Sequence, residues 1–110
     1  MDLTNVSKNL NEKAFLNATI AQIQKDFHSI GVEIELNSLN GAELATDLTH
    51  ELQDLSPEQW IQLAYTVDIG EDKLRNWMAK SGELDELSKL VIYREAFKVY
   101  IRNTRASIDL

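Results

Sequence analysis

Side chains able to bind a metal gather on one predicted helix. Asp47, His50, Glu51 and Asp54 follow Glu43 at spacings of three and four, which bring them onto one helix face. Carboxylate and imidazole together can ligate a divalent ion, but helical bundles complete such sites with matching carboxylates from other helices. The other histidine, His28, stands beside Asp26 and offers no second set. The expectation is a solvated acidic face, with no metal and no cofactor. Catalysis has less footing still. The chain has no cysteine, no glycine-rich phosphate loop and no nucleophile elbow, so a non-enzyme is expected.

A second group is basic. Arg94, Lys98, Arg102 and Arg105 recur at helical spacing and share an arc of about 80° when residues are placed at roughly 100° each. Val91 falls on the same arc and limits the stripe at its N-terminal end. Such a line of cations can contact phosphates or an acidic partner surface. It can equally be a solvated face whose charge complements the helix C-terminus.

Residues 57–80 resemble the helix-turn-helix of DNA-binding regulators. The run Leu63-Ala64-Tyr65-Thr66-Val67-Asp68-Ile69-Gly70, followed by Leu74 and Trp77, supplies the small residue between the helices and the apolar residues around the turn. Asp68 stands where that motif usually has glycine, a change tolerated because Asp can adopt the left-handed conformation. The resemblance implies that Lys73, Arg75 and Asn76 enter the major groove. Glu71 and Asp72 lead the same helix with the wrong sign for phosphates. Trp60-x-x-Leu63-Ala64 is also similar to a segment of death-fold interaction domains, a likeness that fits a docking module.

Helices must position all of these groups. Gly31, Gly41, Pro57, Gly70 and Gly82 fall between apolar segments, as residues that weaken helix interiors should. The first helix is predicted from Asn9 to Ile30, with Asn9 as N-cap, Glu12 reaching back and Gly31 as a left-handed stop. Leu16, Ile20, Ile23, Phe27 and Ile30 form its inner face. Val32-Glu33-Ile34-Glu35-Leu36 alternates like a half-buried strand. Without a partner strand it reads as an extended connector; the other reading is an edge that pairs with another chain.

Asn40 and Glu43 predict a helix from Gly41 to Asp54, stapled by Leu39 and Leu44. Ser56, Pro57 and Gln59 predict another from Pro57 to Val67, stapled by Leu55 and Trp60. A short helix from Glu71 to Lys80 turns Leu74, Trp77 and Met78 inward. The last, from Glu83 to Asn103, turns Leu90, Ile92, Tyr93, Ala96, Phe97, Val99, Tyr100 and Ile101 inward and forms the centre of the bundle. The predicted fold is an all-α, single-domain bundle of five helices spanning 1–110, with frayed termini at 1–8 and 104–110.

One core suits a chain of 110 residues. Its 44% apolar and 26% charged content excludes the disordered and collagen-like classes. No apolar run approaches the roughly 18 residues of a membrane span, and residues 1–5 lack the basic flank and apolar core of a signal sequence. A cytoplasmic setting without membrane association is expected. The net charge of −7 is uneven: residues 1–56 carry −6, residues 57–82 carry −1 and residues 83–110 balance. An acidic chain repels phosphate on average, which ranks nucleic acid below protein as a partner. The expected function is a non-catalytic interaction or regulatory module. It presents Glu43, Asp47, Glu51 and Asp54 as an acidic surface and Arg94, Lys98, Arg102 and Arg105 as a basic stripe. Opposite patches of this kind also permit a homo-oligomer. The alternative is a helix-turn-helix regulator using residues 57–80.

Overall fold

The computed structural model describes residues 9–80 and 82–108, with side chains as far as Thr104. Five helices make up the bundle among these residues, with no strand: α1 (Lys13–Ser29), α2 (Gly41–Gln53), α3 (Pro57–Val67), α4 (Glu71–Ala79) and α5 (Leu84–Ile108). The all-α bundle expected from periodicity is the architecture observed. The stretches 1–8 and 109–110, assigned to frayed ends, lie outside the described residues. Within them α5 continues past Asn103 to Ile108.

α1 starts later than its capping signal suggested. Glu12 is extended (φ −83°, ψ 127°) and becomes the N-cap, while its N–H donates to the Asn9 carbonyl at 3.0 Å. Asn9–Glu12 is thus a separate turn, which buries Leu10. Leu10 lies against the start of α2, so close that a Cβ on Gly41 would stand 3.3 Å from Leu10 Cβ. At its other end α1 stops as expected. Gly31 is left-handed (φ 81°), and the Gly31 and Val32 N–H groups donate to the His28 and Phe27 carbonyls, closing the last turn.

The alternating segment after Gly31 is an unpaired connector. Leu36 is buried, Val32 and Ile34 are half-buried, and Glu33 and Glu35 are exposed. The Leu36 N–H donates to Gln24 Oε1 at 2.9 Å, so a side chain replaces the missing ladder partner. At the start of α2 the Asn40 side chain caps the Glu43 N–H at 2.9 Å. Glu43 reaches back to the N–H of Leu39 rather than that of Asn40. Leu39 is turned outward and is 80% exposed while Leu44 is fully buried, so the expected staple does not form. The reciprocal capping box at Ser56 and Gln59 is complete.

Between α3 and α4 the chain turns on Asp68, left-handed at φ 67° and ψ 50°. The N–H groups of Asp68 and Ile69 both reach the Ala64 carbonyl. Leu74 and Trp77 point inward from α4. Trp77 donates its indole N–H to the Glu83 carbonyl at 2.7 Å and meets Trp60 edge to face at 6.3 Å. Met78, expected inward, is 55% exposed. One residue past Trp77, it is rotated by about 100° off the face that meets the core.

α5 is the centre of the bundle, packing on α1, α2 and α3. Its inner face differs from the expected one. The buried residues are Leu87, Ser88, Val91, Ile92, Glu95, Ala96 and Val99. Leu90, Tyr93, Phe97 and Ile101 are only half-buried, and Tyr100 is exposed. Small and β-branched side chains let three helices approach closely, which a row of aromatic rings prevents. The helix is therefore rotated: Val91 faces the core, Tyr93 packs at its edge and Tyr100 is exposed.

Candidate functional site

The acidic residues of α2 do different jobs. Glu43 holds the Leu39 N–H at 2.8 Å, and Asp47 accepts from the Ser38 hydroxyl at 2.7 Å, so both tether the connector to the helix. Glu51 is half-buried, and His50 and Asp54 are exposed. Among the described residues no three His, Asp or Glu side chains converge in a metal-binding arrangement.

Two cations of the α5 stripe, Arg94 and Lys98, are drawn inward rather than displayed. Arg94 donates through Nε to the Asp68 carbonyl at 3.0 Å and through a terminal nitrogen to the Asp68 carboxylate at 3.1 Å. Its guanidinium also lies 5.7 Å from the centre of the Phe97 ring, within cation–π range. It thereby fastens the left-handed turn between α3 and α4 to α5. Arg102 is exposed and reaches Gln22 Oε1 at 3.4 Å. The side chain of Arg105 lies outside the described residues.

Lys98 enters a buried charged group. Its Nζ lies 2.8 Å from Glu95 Oε1 and 3.5 Å from Asp26 Oδ2. Glu95 has no solvent exposure, and neither of its oxygens has a hydrogen bond of good geometry, the ammonium included. Burial, reinforced by the Asp26 carboxylate and opposed by Lys98, pushes the Glu95 carboxyl up to about 8. With Asp26 and Lys98 charged, a protonated Glu95 keeps the group neutral; ionising it leaves a net negative charge in the core. The α5 sequence carries a trace of this arrangement, since Glu95 is bracketed at helical spacing by Val91, Ile92 and Val99.

The rotation of α5 leaves an apolar ridge of exposed Tyr100 and half-buried Phe97 and Ile101 on one side of the helix, while Leu90 and Tyr93 are partly buried against the core. A groove of about 500 Å³ runs beside it, lined by Arg94, Phe97, Lys98, Ile101 and Arg102. A second, of about 440 Å³, joins Leu90 to Trp77, Lys73, Asn76 and Glu86. The sequence reading missed this ridge because it treated every apolar residue of the helix as core. Apolar density around more of the helix than one core contact needs was the available signal.

Of the residues assigned to groove recognition, Lys73 and Asn76 stand at the lip of that second groove. Arg75 is exposed and lies 3.8 Å from Glu71 within the same helix. The outer side of α4 mixes Lys73, Arg75 and Lys80 with Glu71 and Asp72. No helix among the described residues is long and apolar enough to cross a membrane. Set against known proteins, the chain matches no protein-family profile, no curated protein and no solved structure.

Proposed function

We propose that this protein is a non-catalytic interaction module that docks a protein partner through the outward side of α5. The observation that carries the reading is the side of α5 opposite Glu95, where Tyr100 is exposed and Phe97 and Ile101 are half-buried beside a groove. Aromatic side chains lose little rotamer entropy when covered and supply large contact areas, which is why they anchor interfaces. Arg94, Lys98 and Arg102 line the groove beside Phe97 and Ile101 and give it a polar rim. The acidic first half adds a field that steers positively charged surfaces and sets orientation. A cytoplasmic setting belongs to the same proposal, since a chain without cysteine draws nothing from an oxidising compartment.

The test is affinity capture from native lysate, with wild type and Phe97→Asp, each with and without nuclease. Wild type should retain a discrete protein that nuclease does not release and that Phe97→Asp loses while still unfolding cooperatively on heating. Equal capture by both proteins removes the ridge from the interface. The helix-turn-helix alternative draws no support from the mixed charge of α4. A nuclease-sensitive capture lost in Arg75→Ala would put it first.

A further inference from the structure

We propose that the seam between α1 and α5 is a pH-operated latch, closed while Glu95 keeps its proton and opened at the C-terminal part of α5 when that proton leaves. A chain of polar contacts runs along this seam. Arg102 donates to Gln22 Oε1 at 3.4 Å, and Gln22 donates to Asp26 Oδ1 at 3.3 Å. Lys98 then lies 3.5 Å from Asp26 Oδ2 and 2.8 Å from Glu95 Oε1. The chain starts at exposed Arg102 and ends at Glu95, which is wholly buried. α2 and α3 bury only Leu44, Leu48, Leu52, Leu63, Ala64 and Val67, so they bring no buried charge to that carboxyl. Asp26 from α1 and Lys98 from α5 are the charged groups that act on it.

Charge decides what losing the proton does. With it in place, Asp26, Lys98 and Glu95 sum to zero. Without it they carry a net negative charge that the apolar faces of α2 and α3 cannot offset, and hydration is the remaining way to stabilise it. Water reaches the group most cheaply along the C-terminal part of α5. Before Glu95 the helix is fastened: Leu87, Val91 and Ile92 are buried, Ser88 donates to the Ala45 carbonyl of α2 at 3.0 Å, and Arg94 holds the turn between α3 and α4. After Glu95, among the described side chains of α5, only Ala96 and Val99 are buried. A segment with so few buried contacts opens at a lower free energy than the whole bundle. Opening displaces Lys98, Ile101 and Arg102, which line the groove beside Phe97, so the proton on Glu95 governs the form of that groove.

Backbone amide hydrogen exchange of wild type and Glu95→Gln, read as protection factors from about pH 5 to about pH 8.5, tests the latch. Once opened, Glu95 releases its proton near 4.5, whereas the closed seam holds it up to about 8. Protection over residues 96–104 should therefore fall by up to about tenfold per pH unit in wild type and level off near the upper value. Glu95→Gln should show no such fall. At each pH that segment of wild type should be less protected than residues 44–52 of α2, as a local opening requires. Asp26→Asn removes the carboxylate that helps to hold the proton, so its fall should end at a lower pH. Equal protection of the two segments at every pH would mean that only unfolding of the whole chain exposes Glu95, which overturns the latch. Parallel profiles for wild type and Glu95→Gln, or a fall in Asp26→Asn as extended as that of wild type, overturn it as well.

Discussion

Replacing Glu95 by glutamine should make the protein more stable, and increasingly so as the pH rises. A free glutamate ionises near 4.5, whereas burial beside Asp26 holds Glu95 protonated in the folded state up to about 8. The unfolded chain therefore releases this proton first. The stabilisation from the protonated form is complete below 4.5 and is lost as the pH climbs towards 8. Between pH 5 and 8 the loss is on the order of 3 kcal/mol, because each pH unit between the two values is worth about 1.4 kcal/mol and the slope flattens near each of them. Glutamine keeps the shape and removes the proton. Urea unfolding of both proteins at pH 5, 6, 7 and 8 isolates the effect, since self-repulsion from the other acidic residues acts on both alike. The advantage of Glu95→Gln should grow by on the order of 3 kcal/mol across that range, at an unchanged slope against urea. Parallel pH profiles would refute a protonated Glu95 in the core.

Trp77→Ala removes a ring that is 8% exposed and an indole hydrogen bond to Glu83; it should cost roughly 3–5 kcal/mol in urea unfolding, and a loss under about 1 would show that the α3–α4 pair does not depend on it. A double-mutant cycle of Arg94→Ala and Asp68→Asn should give a coupling of about 0.5–1 kcal/mol, since both side chains remain partly solvated; a coupling near zero would mean that the turn holds without the ion pair. Chelators and divalent ions should leave the melting temperature unchanged. A saturable rise lost in His50→Ala would overturn that expectation.

Helix number and boundaries were legible wherever local chemistry decides them. The cap at Asn40, the box at Ser56 and Gln59 and the left-handed stop at Gly31 depend on a few adjacent residues, and each forms as the sequence implies. Two local signals failed as well, since Glu12 rather than Asn9 caps α1 and Leu39 turns outward; the other failures depend on neighbours distant in sequence. Leu39 is outside because Glu43 had a choice between two backbone donors. The face of α5 was misjudged because apolar residues nearly surround it, leaving periodicity no contrast to work with. Which side turns in is then set by how closely α1, α2 and α3 can approach, and Val91, Ala96 and Ser88 permit what Tyr93 and Phe97 do not. Glu95 was passed over for the same reason: its only warning was its apolar neighbours, and its partner Asp26 lies on another helix. The cations were not read as tethers, because Asp68 and Asp26 reach Arg94 and Lys98 only in the folded chain.

The central position of α5 also bears on how the protein is made. α1, α2 and α3 come first in sequence, yet α1 and α2 both pack on the last helix. Synthesis runs at about 5–20 residues per second, so the 25 residues of α5 take on the order of seconds to appear. Throughout that interval the apolar faces of the earlier helices, Leu44 and Leu48 among them, lack the surface that covers them. Until α5 is complete those faces can meet the apolar surfaces of other chains, so this interval is when the protein is most open to aggregation.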